Sequence, residues 1–72
     1  MNVLSIGGSD TSSGAGIQSD IKTFSKYYVY GLTAVTAITS QNTRKVTSIE
    51  PVSAKSLKAQ LDSIFSDFHV DA

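Results

Sequence analysis

The spacing of apolar residues changes several times along this chain, and each change marks an element. Asn2–Ile6 is a short, mostly apolar run that enters glycine, which predicts a strand covered on both faces. The spacing then lengthens. Ile17, Ile21, Phe24 and Tyr28 share one stripe of a helix near Gly14–Tyr27, with Gln18, Lys22, Ser25 and Lys26 away from it. Ser12 or Ser13 is placed to cap that helix. Tyr27-Tyr28-Val29-Tyr30-Gly31 reads as core packing over a turn at Gly31. Leu32–Thr39, rich in β-branched residues and small on both faces, predicts a second buried strand.

Strand, helix and strand in succession make a βαβ unit, with parallel strands and a right-handed crossover. Both strands then finish on one edge of the sheet, the first at Gly7-Gly8 and the second at Ser40-Gln41-Asn42. Open α/β sheets bind ligands at that carboxyl edge. The glycine-rich loop and Gln41 are therefore predicted to line one crevice, with Gln41 either reading a ligand or tying down the Asn42-Thr43 turn. Thr43-Arg44-Lys45 is a polar turn, its charges either solvated or a phosphate clamp.

Val46–Val52 alternates as an edge or ribbon strand would, and Pro51 limits pairing at its end. Ser53 then caps a second helix with Leu57, Leu61, Ile64, Phe65 and Phe68 on one stripe. His69 stands at its end, in a packing or capping role or a catalytic one. Val70-Ala72 reads as the beginning of a third strand. A pattern that halts as a strand begins predicts that residues 1–72 are the N-terminal segment of a single, longer domain, truncated there.

The chemistry concentrates in Gly7–Asp20. Its first ten residues hold four glycines and four hydroxyl side chains. Such a loop before a helix lets backbone N–H groups approach a ligand, and the helix N-terminus adds partial positive charge. The alternative is a tight βα turn with spare glycines. A phosphate-loop motif fails, since Ser12 and Ser13 stand where its second glycine belongs. A dinucleotide motif fails at Ser19, after Gly14 and Gly16. Asp20, one turn beyond Gly16, is either a ligand-facing carboxylate or a border residue.

Composition narrows the field. Six basic and six acidic residues cancel, which leaves no basic patch for nucleic acid and no polybasic membrane anchor. There is no cysteine to staple so short a chain, and no apolar run of transmembrane length. The N-terminus lacks a signal-peptide pattern, which predicts a cytoplasmic protein.

Taken together, these stretches resemble the hydroxymethylpyrimidine/phosphomethylpyrimidine kinases of thiamine biosynthesis, a branch of the ribokinase-like fold. The residues that carry the resemblance are Ile6-Gly7-Gly8-Ser9-Asp10, Gly14-Ala15-Gly16-Ile17-Gln18-Ser19-Asp20, Val29-Tyr30-Gly31, Thr39-Ser40-Gln41-Asn42-Thr43, Pro51-Val52 and Gln60–Asp67. The resemblance implies the βαβ portion of a three-layer α/β/α fold. It implies phosphorylation of 4-amino-5-hydroxymethyl-2-methylpyrimidine, then of its monophosphate, by ATP with Mg2+. It also implies that the glutamine matching Gln41 holds the pyrimidine, with Gly8, Ala15 and Asp20 near the same pocket. No catalytic residue falls within this chain, because the family's catalytic base, anion hole and most of its ATP site lie in the C-terminal half. A small-molecule partner and room for a homodimer follow from the same likeness. A pyridoxine-type kinase, a non-catalytic pyrimidine-binding module and an inactive truncated product remain open. The sequence departs from the family at Ser13 and Tyr28, where glycine is usual, so either those turns differ or they carry strain.

Overall fold

The change of spacing after Ile6 does not end the first strand. In the computed structural model, which describes all residues 1–72, β1 runs from Asn2 to Asp10 and β2 from Tyr30 to Gln41. They pair in parallel, joined by the helix α1, Gly16–Lys26, as the βαβ pattern predicts. The glycines remain in β1 because pairing uses backbone groups and needs no side chain: Gly7 lies opposite Val35 and Gly8 opposite Ala37. The register slips between them, so Thr36 is the extra residue of a bulge in β2.

The predicted serine cap of α1 is not formed. Ala15 is the N-cap residue and gives no side-chain bond; the nearby donors are served instead by Asp10, described below. The other end closes on Tyr28. The Val29 N–H donates to the Phe24 carbonyl at 3.1 Å and the Tyr28 N–H to the Ser25 carbonyl at 3.2 Å. This is the Schellman arrangement, with Tyr28 in the left-handed position at φ 58°. Tyr27, Tyr28 and Tyr30 are all exposed, Tyr28 at 95%, so none of the three is buried in the core as predicted. Gly31 is a strand residue rather than a turn. A Cβ on it would lie 2.6 Å from Ile21 Cδ1 and 2.8 Å from a Phe24 ring carbon, so the helix seats directly on its backbone.

The third strand, β3 (Val46–Pro51), is an antiparallel ribbon beside β2 and is exposed throughout. Asn42 makes the connecting turn: its Oδ1 accepts from the Arg44 and Lys45 N–H groups at 2.8 and 3.1 Å. The Val52 N–H then reaches the carbonyl of the bulged Thr36 at 2.9 Å. The helix α2 spans Ala54–Phe65, and Ser53 Oγ caps it by accepting from the Ser56 N–H at 3.0 Å.

Gly7 and Gly31 face α1, so the alternate residues Leu32 and Ala34 point to the other face, where α2 lies. These two are the only buried apolar residues. Past α2, Phe68 stacks on Tyr30 with ring centroids 6.0 Å apart. Val70–Ala72 then reaches the free edge of β1. The Ala72 N–H donates to the Asn2 carbonyl at 3.4 Å and the Leu4 N–H to the Ala72 carbonyl at 2.8 Å, the pattern of a parallel pair centred on Val3.

Candidate active site at the carboxyl edge of the sheet

The parallel pairing brings the ends of β1 and β2 together, and Thr11 locks them. Its hydroxyl donates to the Gln41 carbonyl at 2.6 Å and accepts from the Gln41 N–H at 2.8 Å. The Thr11 N–H adds a bond to the Thr39 carbonyl at 3.2 Å. Gln41 sits at a register shift in the β2–β3 ladder, opposite Val46. The neighbouring turn is held by Asn42, so the Gln41 side chain is not needed for it.

Behind Thr11, the glycine-rich loop is wrapped around one carboxylate. Asp10 Oδ1 accepts from the Ser12 N–H at 2.8 Å and from the Ser12 hydroxyl at 2.7 Å. Asp10 Oδ2 accepts from the Ala15 N–H at 2.8 Å. Its carbonyl takes the Ser13 N–H at 3.0 Å. Asp10 is 4% exposed. The Ser12 hydroxyl is the largest influence on its acidity; burial pushes the other way, and the Ser12 amide, the Gln41 carboxamide and the Ala15 amide add to the lowering. The carboxyl is held down at about 2, from an ordinary 3.8.

The far side of the loop is pinned by Gln18 and Gly16. Gln18 Oε1 accepts from the Asp10 N–H at 2.8 Å, and its Nε2 donates to Ser9 Oγ at 2.7 Å. Gln18, off the apolar stripe, thus faces the end of β1. Gly16 adopts φ +65°, and a Cβ there would fall 2.4 Å from the Gly8 carbonyl oxygen. No other residue allows that approach between helix and strand. Ser13 takes φ 64° without being glycine, and its carbonyl accepts from Lys22 Nζ at 3.2 Å.

Of the predicted site residues, Gly8, Ala15 and Gln41 gather at this edge. Asp20 lies one turn further down α1, at mid-strand, where its carboxylate accepts from the Ser5 hydroxyl at 2.6 Å. His69 is exposed beyond α2, with its carbonyl accepting from Asn2 Nδ2 at 2.9 Å at the opposite edge of the sheet. Arg44 and Lys45 are exposed in the hairpin. The 72 residues enclose no cavity at the edge, and no three His, Cys, Asp or Glu side chains gather as metal ligands. What the arrangement does is bring the glycine loop and Gln41 side by side at the carboxyl ends of two parallel strands.

Residues 10–72 match the family model described as phosphomethylpyrimidine kinase. The chain belongs to this family. Among phosphomethylpyrimidine kinase relatives, the hydroxymethylpyrimidine/phosphomethylpyrimidine kinase of Rhizobium meliloti is 59% identical over 96% of this chain. The chain spans only 26% of that protein's length. The crystal structure of phosphomethylpyrimidine kinase from Clostridium difficile superposes on all of the chain with a TM-score of 0.97 at 46% identity, the chain covering 31% of it. An ADP complex of Bacillus subtilis pyridoxal kinase superposes on 99% of the chain, which covers 27% of that structure, with a TM-score of 0.89 at 40% identity. The fold is therefore the α/β arrangement of the ribokinase-like kinases.

Sequence reasoning missed Thr11, Asp10 and Gln18 as organisers of the site. A signal for Asp10 was present, because Asp followed two residues later by Ser at a strand end is the pattern of an Asx turn.

Proposed function

We propose that the protein containing this chain transfers the γ-phosphoryl group of ATP to the hydroxymethyl oxygen of 4-amino-5-hydroxymethyl-2-methylpyrimidine, releasing ADP and the hydroxyl proton. A second transfer to the monophosphate gives the diphosphate. The observation that carries this reading is the meeting of Gln41 with the glycine loop at the carboxyl ends of two parallel strands, in a chain that matches this kinase family. A carboxamide offers an acceptor and two donors in one plane. A ring nitrogen beside an exocyclic amino group is its complement, by the logic that lets Asn or Gln read adenine. Gln41 is then the reader of the ring, with Gly8 and Ala15 beside it, and Asp20, one turn down α1, behind them.

These residues serve the acceptor side. Positioning of phosphates and metal governs phosphoryl transfer, and in this reading ATP and Mg2+ are bound mainly by residues outside this chain. A cytoplasmic enzyme with room for a homodimer completes the reading. No helix here is long and apolar enough to cross a membrane. The likeness to a pyridoxal kinase favours a second reading, in which the same face accepts a hydroxymethyl pyridine. Turnover of the complete protein with ATP and each heteroaromatic alcohol separates the two. A kcat/KM higher for the pyrimidine supports the first, and a higher value for the pyridine supports the second.

A further inference from the structure

The Asp10 carboxylate accepts from three donors of its own loop, lies near the Gln41 carboxamide, is 4% exposed, and is not itself a ring-reading position. From these contacts, and resting on the reading just given, we propose that Asp10 is a positioning residue for pyrimidine recognition. It acts as an internal template that shapes residues 11–15 and, through Thr11, sets where Gln41 stands.

The argument is one of acceptors. Residues 11–15 leave β1 and turn into α1, and the Ser12 and Ala15 N–H groups have no helical or strand partner. A carboxylate supplies enough lone pairs to take both, together with the Ser12 hydroxyl. Because the two N–H groups come from opposite ends of the loop, one rigid group fixes the span between them. Gln18 holds the Asp10 backbone from the helix side, so the carboxylate itself cannot drift. Thr11 is the next residue, and its side chain makes both bonds to the Gln41 backbone. The chain of contacts therefore runs from Ala15 and Ser12, through Asp10 and Thr11, to Gln41, with a defined geometry at each step.

Charge is essential to this role, and shape alone does not suffice. Asparagine is nearly isosteric, yet one of its two terminal atoms is a donor. That NH2 must face either the Ala15 N–H or the Ser12 N–H, neither of which can accept, and only the Ser12 hydroxyl can turn to take a bond from it. Asp10→Asn opens one end of the loop while leaving its volume unchanged. Ser12→Ala is milder: it removes the hydroxyl bond and keeps the backbone one.

The test uses the complete kinase carrying this segment, with steady-state kinetics varied separately in hydroxymethylpyrimidine and in ATP. Asp10→Asn is expected to raise KM for the pyrimidine by about tenfold or more, since hydrogen bonds to a charged group are the stronger kind. KM for ATP should stay within about twofold, which is inside the effect of a single weak contact. Ser12→Ala should raise the pyrimidine KM by about threefold, in the same direction. If Asp10→Asn yields too little folded protein, Ser12→Ala carries the test by itself. A merely structural role predicts a lower kcat from a smaller active fraction with both KM values unchanged, and that result overturns the inference. An equal rise in both KM values overturns it too. Should the wild-type enzyme fail to phosphorylate the pyrimidine, the proposed function falls and this inference with it. Wild-type turnover with variants indistinguishable from it removes this inference alone.

Discussion

Gln60 grips the backbone of Val35 from both directions: its Oε1 accepts from the Val35 N–H at 2.7 Å, and its Nε2 donates to the Val35 carbonyl at 2.9 Å. Val35 lies just before the bulge at Thr36, on a stretch of β2 that β3 does not reach. The carboxamide thus stands in for a missing strand and ties α2 to the sheet. Gln60→Leu leaves both backbone groups without partners. A loss of about 1–3 kcal/mol is expected, read from urea unfolding of the complete protein. A midpoint shift too small for that range would mean that water replaces the side chain at no cost.

Gln41→Leu in the complete kinase should weaken pyrimidine binding by roughly tenfold to a hundredfold, the value of one buried hydrogen-bonding partner. ATP affinity should be nearly unchanged. Equal losses for both ligands would indicate a structural role, and no loss for either would exclude Gln41 as the reader.

Ser13 and Tyr28 both occupy left-handed backbone, at φ 64° and 58°. For a residue with a Cβ this costs about 1 kcal/mol or more, which glycine avoids, offset in part by glycine's greater freedom when unfolded. Tyr28→Gly sacrifices no packing, because Tyr28 is exposed. Each glycine variant is expected to raise the Tm of the complete protein by a few degrees. A lower Tm for Tyr28→Gly would reveal a contact made by that ring elsewhere in the protein.

The acidity of Asp10 gives a pH signature. Its folded-state pKa is depressed, from 3.8 to about 2. The unfolded chain therefore binds the proton more readily, and the contribution to stability is complete above pH 3.8 and lost as pH falls through about 2. Comparing wild type with Asp10→Asn by thermal melts should show a gap that is constant at neutral pH and narrows across that window. A gap independent of pH down to the lower limit would rule out an ionised Asp10 as its source.

The isolated segment 1–72 should neither turn over ATP nor melt cooperatively. Only Leu32 and Ala34 are buried apolar residues, while Ile6, Ile38 and Ile49 remain 55%, 46% and 63% exposed. So small an apolar core does not offset the entropy of ordering the chain. Calorimetry and an ADP-release assay on the purified segment check both halves of this expectation.

Legibility in the sequence followed the reach of each signal. The βαβ order, the Ser53 cap and the proximity of Gln41 to the loop follow from side-chain period and from parallel pairing, and both are local rules. The end of β1 was misplaced because Gly7–Asp10 pairs through backbone, which leaves no apolar period to read. Gln18 was placed off the apolar stripe with no partner named, because a polar residue on a helix has the same signature whether it meets water or a strand end. The Tyr27–Tyr30 cluster was assigned to the core on hydrophobicity alone, but the left-handed turn at Tyr28 carries that side chain outward. Gln60 helped to carry the family resemblance, but its contact was not readable, since its partner is a backbone unit 25 residues away.

The pairing of Val70–Ala72 with β1 bears on how the protein is made. Asn2 leaves the ribosome well before Asp71, yet its N–H waits for the carboxylate of that residue, 69 positions later. Through most of that interval β1 has β2 on one side and an open hydrogen-bonding edge on the other. Contacts of such separation form late, and open edges invite pairing with neighbouring chains. The interval before residue 71 emerges is thus the stage at which a nascent chain of this protein is most exposed to misassembly, and slower elongation through α2 would lengthen it.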